Sequence, residues 1–75
     1  MKVNSIKDLA ELVKAKRKEE GMTQREVAGY CNCGVRFISD LENGKPTMQI
    51  DKVIHICKMF DIELFAEFKG SHNDS

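Results

Sequence analysis

Seventy-five residues, 41% of them hydrophobic, with a single proline and no low-complexity run, make one small globular domain and exclude a disordered chain. Twelve basic and twelve acidic residues leave no net charge, which excludes a nucleic-acid binder that holds phosphates by bulk charge alone. No apolar stretch approaches the roughly 20 residues of a membrane span, and Met1-Lys2-Val3-Asn4 lacks the apolar core of a signal peptide, so a cytosolic location with no membrane partner is expected.

A chain this short buries only about 60% of its unfolded surface, so dimerisation is the expected source of added stability. Residues 1–45 hold nine Lys/Arg against seven Asp/Glu, and residues 46–75 hold three against five. The small positive excess in the first part either favours a polyanion there or is noise.

In chain order, Ser5 precedes Ile6, Leu9, Leu12 and Val13 at helical spacing, with Asp8 three residues on as a weaker capping box and Gly21 as a stop. A first helix is predicted from about Ile6 to Glu20. Lys14, Lys16, Arg17 and Lys18 in its last turns read as a solvated face that complements the helix dipole, with a phosphate backbone as the alternative for the lysines.

Thr23-x-x-Glu26 is a full capping box and starts a second helix with Val27 and Ala28 facing inward. Asn32 sits where the chain must turn sharply, and asparagine enters the left-handed conformation cheaply. Gly34 opens a third helix, Ile38 and Leu41 keep its apolar stripe, and Gly44 followed by Pro46 ends it. Residues 23–45 thus read as two short helices hinged by a tight turn, the second exposing polar and basic side chains suited to base edges. That is a helix-turn-helix, and it makes double-stranded DNA the leading partner.

After Pro46, Ile50, Val53, Ile54, Cys57 and Phe60 mark one face of a fourth helix and are expected in the core. Asp61 takes a helix-ending position. Ile62, Leu64, Ala66 and Phe68 then alternate with Glu63, Phe65 and Glu67, the period of a strand over about 62–68, with a short fifth helix as the competing reading. A lone strand needs a partner, and the simplest is its symmetry mate, paired antiparallel across a two-fold axis with Phe65 or Phe68 buried between protomers. The expected fold is all-α, four or five helices with this strand, in a single domain over 1–70 followed by a disordered polar tail at 71–75.

Cys31-x-Cys33 looks like half of a metal site, but only Cys57, His55 and His72 remain to complete it, none in a paired motif. Cys33 and Cys57 are read as small buried apolar residues, and no metal is assigned. No Gly-rich phosphate loop is present and His55 reads as a partly exposed residue of the fourth helix, so no catalytic residue, no cofactor and no enzymatic activity are assigned.

The span from about Leu9 to Leu64 resembles the Xre/Cro-like, lambda-repressor-like helix-turn-helix family through Arg17, Gly21-Met22-Thr23-Gln24, Val27-Ala28, Ile38-Ser39, Leu41-Glu42 and Gly44-Lys45. More narrowly, Arg36-Phe37, Leu41-Glu42-Asn43-Gly44-Lys45-Pro46-Thr47 and Asp51-Lys52-Val53 look like the HipB-like antitoxins, small dimeric autorepressors that neutralise a HipA-type kinase toxin. The chain departs from the pattern at Asn32, where a glycine is usual, at Cys33, where valine is usual, and in having no long C-terminal extension. The resemblance implies a homodimeric repressor on an inverted-repeat operator, its recognition helices about 34 Å apart, with a HipA-like kinase as possible partner. A stand-alone Xre-type or phage-like regulator, or a thiol or metal sensor working through the cysteines, is the alternative.

The same resemblance implies residue roles. Val35, Arg36, Ser39 and Asp40 face bases: Val35 a thymine methyl, Arg36 the O6 and N7 of guanine, Asp40 a cytosine amine. For Arg36 a phosphate is the alternative, and for Asp40 a structural role opposite Arg36. Gln24, Gly34, Asn43 and Lys45 are expected on phosphates. Ile62, Leu64, Phe65, Ala66 and Phe68 are expected at the dimer seam. Arg17 and Glu42 occupy positions where this family commonly holds a partly buried ion pair, so Arg17 is expected to be scaffold.

Overall fold

Each helix forms where an apolar period of 3.6 residues lies between a start and a stop signal. A computed structural model describes residues 2–68, with α1 at Ile6–Glu19, α2 at Gln24–Cys31, α3 at Val35–Glu42 and α4 at Ile50–Met59. The expected tail at 71–75, including His72, lies outside the described residues. Among the described residues no helix is long and apolar enough to cross a membrane.

The starts differ in quality. At α2 the capping box is complete, with the Glu26 N–H donating to Thr23 Oγ1 at 3.0 Å and the Thr23 N–H donating to Glu26 Oε1 at 2.8 Å. The box expected at α1 is not made: the Ser5 hydroxyl caps nothing, and the Asp8 carboxylate accepts from the Asn4 N–H at 2.8 Å, one residue further back. The acidic group still lies in the first turn, where the helix dipole favours it.

The four stops are alike. Gly21, Asn32, Gly44 and Asp61 take positive φ of 68°, 55°, 74° and 59°, and each lets the following N–H reach back five residues. The bonds run from Met22 to the Arg17 carbonyl at 3.1 Å, Cys33 to Ala28 at 2.9 Å, Lys45 to Asp40 at 3.0 Å and Ile62 to Cys57 at 2.8 Å. The turn residues read from the sequence, Asn32 included, therefore stand in the conformation their chemistry suggested.

α3 packs against both α1 and α2, and α4 closes on α2. Leu9 and Val13 of α1, Val27, Ala28 and Cys31 of α2, Ile38 and Leu41 of α3, and Val53, Ile56, Cys57 and Phe60 around α4 form one core. Two expectations are corrected here. Ile50 and Ile54 are exposed, at 63% and 37%, and Ile56 is buried instead. At about 100° per residue the buried face of α4 is centred between Val53, Ile56, Cys57 and Phe60, which turns Ile54 well away from it. Cys31, not Cys33, is the second deeply buried thiol beside Cys57, and its Sγ lies 3.5 Å from Met59 Sδ, while Cys33 at the α2–α3 turn is only half-buried.

Over residues 62–68 the described chain forms neither a strand nor a fifth helix. Ile62 still packs on the core, and Leu64, Phe65 and Phe68 are exposed. A strand needs a neighbouring ladder, and the other described elements are all helical.

Gly44 combines a left-handed backbone with crowding, since a Cβ there would meet Lys7 Cγ at 3.1 Å. Gly44→Ala is expected to destabilise the domain by about 1–2 kcal/mol from the backbone alone. In thermal unfolding this appears as a fall of about 4–8 °C per kcal/mol for a domain of this size; an unchanged midpoint contradicts it.

Candidate nucleic-acid interface

α3 is amphipathic because its apolar residues recur at Ile38 and Leu41, both fully buried, while the intervening positions face out. The outward side carries Val35 at 39% exposure, Arg36 with a side chain 90% exposed, and the half-buried Ser39 and Asp40. Asn43 and Lys45 follow at the corner that ends α3, both exposed. Gly34 is the N-cap of α3 and contributes only backbone. One short helix and its two ends thus gather seven of the eight residues expected to touch nucleic acid.

Asp40 stands between two of the cations, 3.9 Å from Arg36 Nε and 3.5 Å from Lys45 Nζ. The Arg36 pairing is the one-turn contact the sequence suggested; the Lys45 pairing was not foreseen, and it arises because the corner at Gly44 folds Lys45 back over the last turn. Such exposed pairs are weak, so an incoming phosphate can take either cation. Behind them, the Lys52 ammonium lies 5.8 Å from the centre of the Phe37 ring, tying α4 to the inner edge of α3.

The eighth residue, Gln24, has a partner of its own. Its Nε2 donates to Glu42 Oε1 at 3.0 Å, which makes it part of the scaffold under α3. Glu42, whose side chain is 2% exposed, also accepts two bonds from Arg17: Nε to Oε2 at 2.6 Å and Nη2 to Oε1 at 3.0 Å. Arg17 spends Nη1 on the Met22 carbonyl at 2.7 Å. The expected pair is therefore present, and it is larger than expected: one carboxylate ties α1, the α1–α2 loop, α2 and α3 together. Gln24 carries no sequence signal for this role, because the bond joins positions 18 apart.

Burial acts on Glu42 to raise its pKa. The hydrogen bonds from Arg17 and Gln24, with the charges of Arg17 and Lys14, outweigh it and hold the carboxyl below the usual carboxylate range. The same hydrogen bond to Glu42, against burial, raises the Arg17 guanidinium. Burial pushes all three thiols up, with the neighbouring Cys33 adding to the rise at Cys31 and Lys52 opposing it at Cys33, so each stays a protonated thiol near neutral pH. Among the described residues no three His, Cys, Asp or Glu side chains are placed to hold a metal. Lys16 of the α1 cationic run pairs with Glu19 at 3.4 Å and Glu20 at 3.7 Å, as a solvated face would.

Arg17→Ala leaves Glu42 buried without its cation and is expected to cost about 3–5 kcal/mol in denaturant unfolding; a loss below about 1 kcal/mol is the result expected of a surface pair instead. Because the folded pKa of Glu42 is depressed, its contribution is complete above the unfolded value near 4.5 and is lost as pH falls through the lower folded value. Glu42→Gln should therefore flatten the acid limb of a stability-against-pH curve, and an acid limb as steep as that of the wild type contradicts the assignment.

The family profile described as Helix-turn-helix matches residues 13–65. The uncharacterized HTH-type transcriptional regulator y4mF of Sinorhizobium fredii (strain NBRC 101917 / NGR234) is 46% identical over 55 residues, covering 73% of this chain and 72% of that protein. Among solved structures the chain is similar to those described as "Structure of HipA-HipB-O2-O3 complex" and "HipB-O4 20mer complex", each with a TM-score of 0.80 at 23% identity over 92% of this chain and 97% of that one. A structure described as "MDT Protein" matches equally well. At that identity the likeness concerns the fold.

Proposed function

The chain belongs to the helix-turn-helix family of transcriptional regulators, and from that premise we propose that it is a dimeric, sequence-specific DNA-binding repressor acting as an antitoxin in the cytoplasm. The observation that carries the DNA-binding part is the outward face of α3, where Arg36 is 90% exposed on a helix braced from behind by Glu42. Arg36 bridges O6 and N7 of a guanine, Val35 meets a thymine methyl, and Ser39 and Asp40 take neighbouring base edges. Lys45, Asn43 and the backbone at Gly34 hold phosphates and set register. Gln24 shares this task through the second hydrogen of Nε2, the first staying on Glu42.

Two protomers join through residues 62–68, with Phe65 at 86% exposure as the principal apolar knob, flanked by Leu64, Ala66 and Phe68 and anchored by Ile62. A shallow cavity of about 610 Å³ beside α4, lined by Ile54, Ile62 and Leu64 together with Lys58, Asp61 and Glu63, supports this reading as a receiving surface. The complexes of HipB with an O4 20mer and with HipA and O2-O3 support a nucleic-acid target and a HipA-like kinase partner. The 46% identical relative is described as a transcriptional regulator, which fits both the antitoxin and the second reading, a stand-alone regulator without a toxin. Copurification with a kinase encoded beside the gene separates the two; a solitary gene with no such partner overturns the antitoxin role and leaves the repressor.

A dimer making about six to ten phosphate contacts is expected to lose about 10³–10⁵ in affinity between 50 and 200 mM salt, read by fluorescence anisotropy on duplex DNA. Arg36→Ala is expected to cost about 1–3 kcal/mol on the operator and to leave the melting temperature unchanged. Footprints lacking two-fold symmetry argue against the dimer. Phe65→Glu is expected to shift sedimentation equilibrium to the monomer, and a chain that stays dimeric contradicts the proposed seam.

A further inference from the structure

Neither the helix-turn-helix pattern nor the family resemblance gives Lys7 a role, yet the fold sets it against the corner that ends the recognition helix. A Cβ built on Gly44 would stand 3.1 Å from Lys7 Cγ, 3.6 Å from its Cα and 3.9 Å from its Cβ. Gly44 is itself buried, so the first turn of α1 lies directly on the backbone between Asn43 and Lys45. From Cγ a lysine reaches about 4 Å to its ammonium, so that charge can be brought to the same corner that carries Lys45.

Lys7 is exposed, and among the described residues it forms no ion pair, although Glu11 stands one helical turn away. Lys45 shares Asp40 with Arg36, at 3.5 Å and 3.9 Å. Three cations with one carboxylate leave the end of α3 with surplus positive charge in a protein whose net charge is zero. A polyanion running past this corner neutralises that surplus, and an ammonium serves there as a point charge that needs no fixed hydrogen-bond geometry.

We propose that Lys7 is a phosphate-binding residue: with Lys45 it grips the DNA backbone from the two sides of Gly44, and Gly44 is the residue that lets α1 come close enough for it to do so. The contact positions the recognition helix in the groove and reads no sequence. The inference rests on the DNA-binding reading above.

The test is fluorescence anisotropy of the full chain with a labelled mixed-sequence duplex of about 30 base pairs, from about 50 to 200 mM salt. Lys7→Met keeps the stem packed on Gly44 and removes the charge. Its plot of log affinity against log salt is expected to be shallower than that of the wild type by about 0.9 per protomer, so the wild-type advantage is greatest at about 50 mM and shrinks about 3–4-fold per protomer by about 200 mM. Lys7→Arg restores the slope, Lys16→Met, whose ammonium already pairs with Glu19 and Glu20, leaves it unchanged, and the melting temperature of Lys7→Met matches the wild type. An unchanged slope in Lys7→Met, or an equal loss in Lys16→Met, overturns the proposal while DNA binding stands. A wild-type chain that does not bind the duplex overturns the DNA-binding reading and this inference together.

Discussion

The carboxylate of Glu42 is the constraint on which the rest depends. It lies at the end of α3, 2% exposed, and holds Arg17 from α1 and Gln24 from α2 at the same time. A charge in that setting is tolerated only with its partners in place, so the three elements have one arrangement that satisfies it and many that do not. Apolar packing of Ile38 and Leu41 attracts α3 to the core, but packing is non-directional and leaves rotation about the helix axis loosely set. The ion pair supplies the direction. It fixes which residues of α3 face outward, and Arg36 with its neighbours is the consequence.

The electrostatics of the surface follow a similar economy. A chain with no net charge cannot attract a polyanion from a distance, so what attraction it has must be local. Asp40 between Arg36 and Lys45 offsets part of their charge and leaves both cations loosely held. Arrangements of this kind favour discrimination over indiscriminate adhesion, because the carboxylate repels phosphates wherever the cations are not both engaged.

Much of this was legible in the sequence because it is local chemistry. The Thr23–Glu26 box, the left-handed Asn32 and the glycine stops at Gly21 and Gly44 each depend on a few neighbouring residues, and each was read correctly. The misreadings lie where the fold decides. Ile50 and Ile54 fit a helical stripe as well as Ile56 does, and only the placement of α4 against α2 selects among them. Cys31 and Cys33 are equally plausible core residues until the turn at Asn32 sets which one points inward. Gln24 also takes a partner that spacing does not reveal, a carboxylate 18 residues away, in addition to the phosphate expected of it. The segment 62–68 has the period of a strand, but a strand is a property of two chains of backbone, and one sequence records only half of it.

The four identical helix ends bear on how the chain folds. Each corner closes within six residues, so the helices and their turns assemble from short-range contacts at little loop-closure cost. The bonds between Arg17 and Glu42 span 25 positions, and with the Gln24–Glu42 bond and the shared core they add the long-range connections to a chain whose corners are local. Low contact order of this kind belongs to fast-folding helical domains. Rapid folding from local parts means that newly made copies reach their compact shape with little time spent exposing the core.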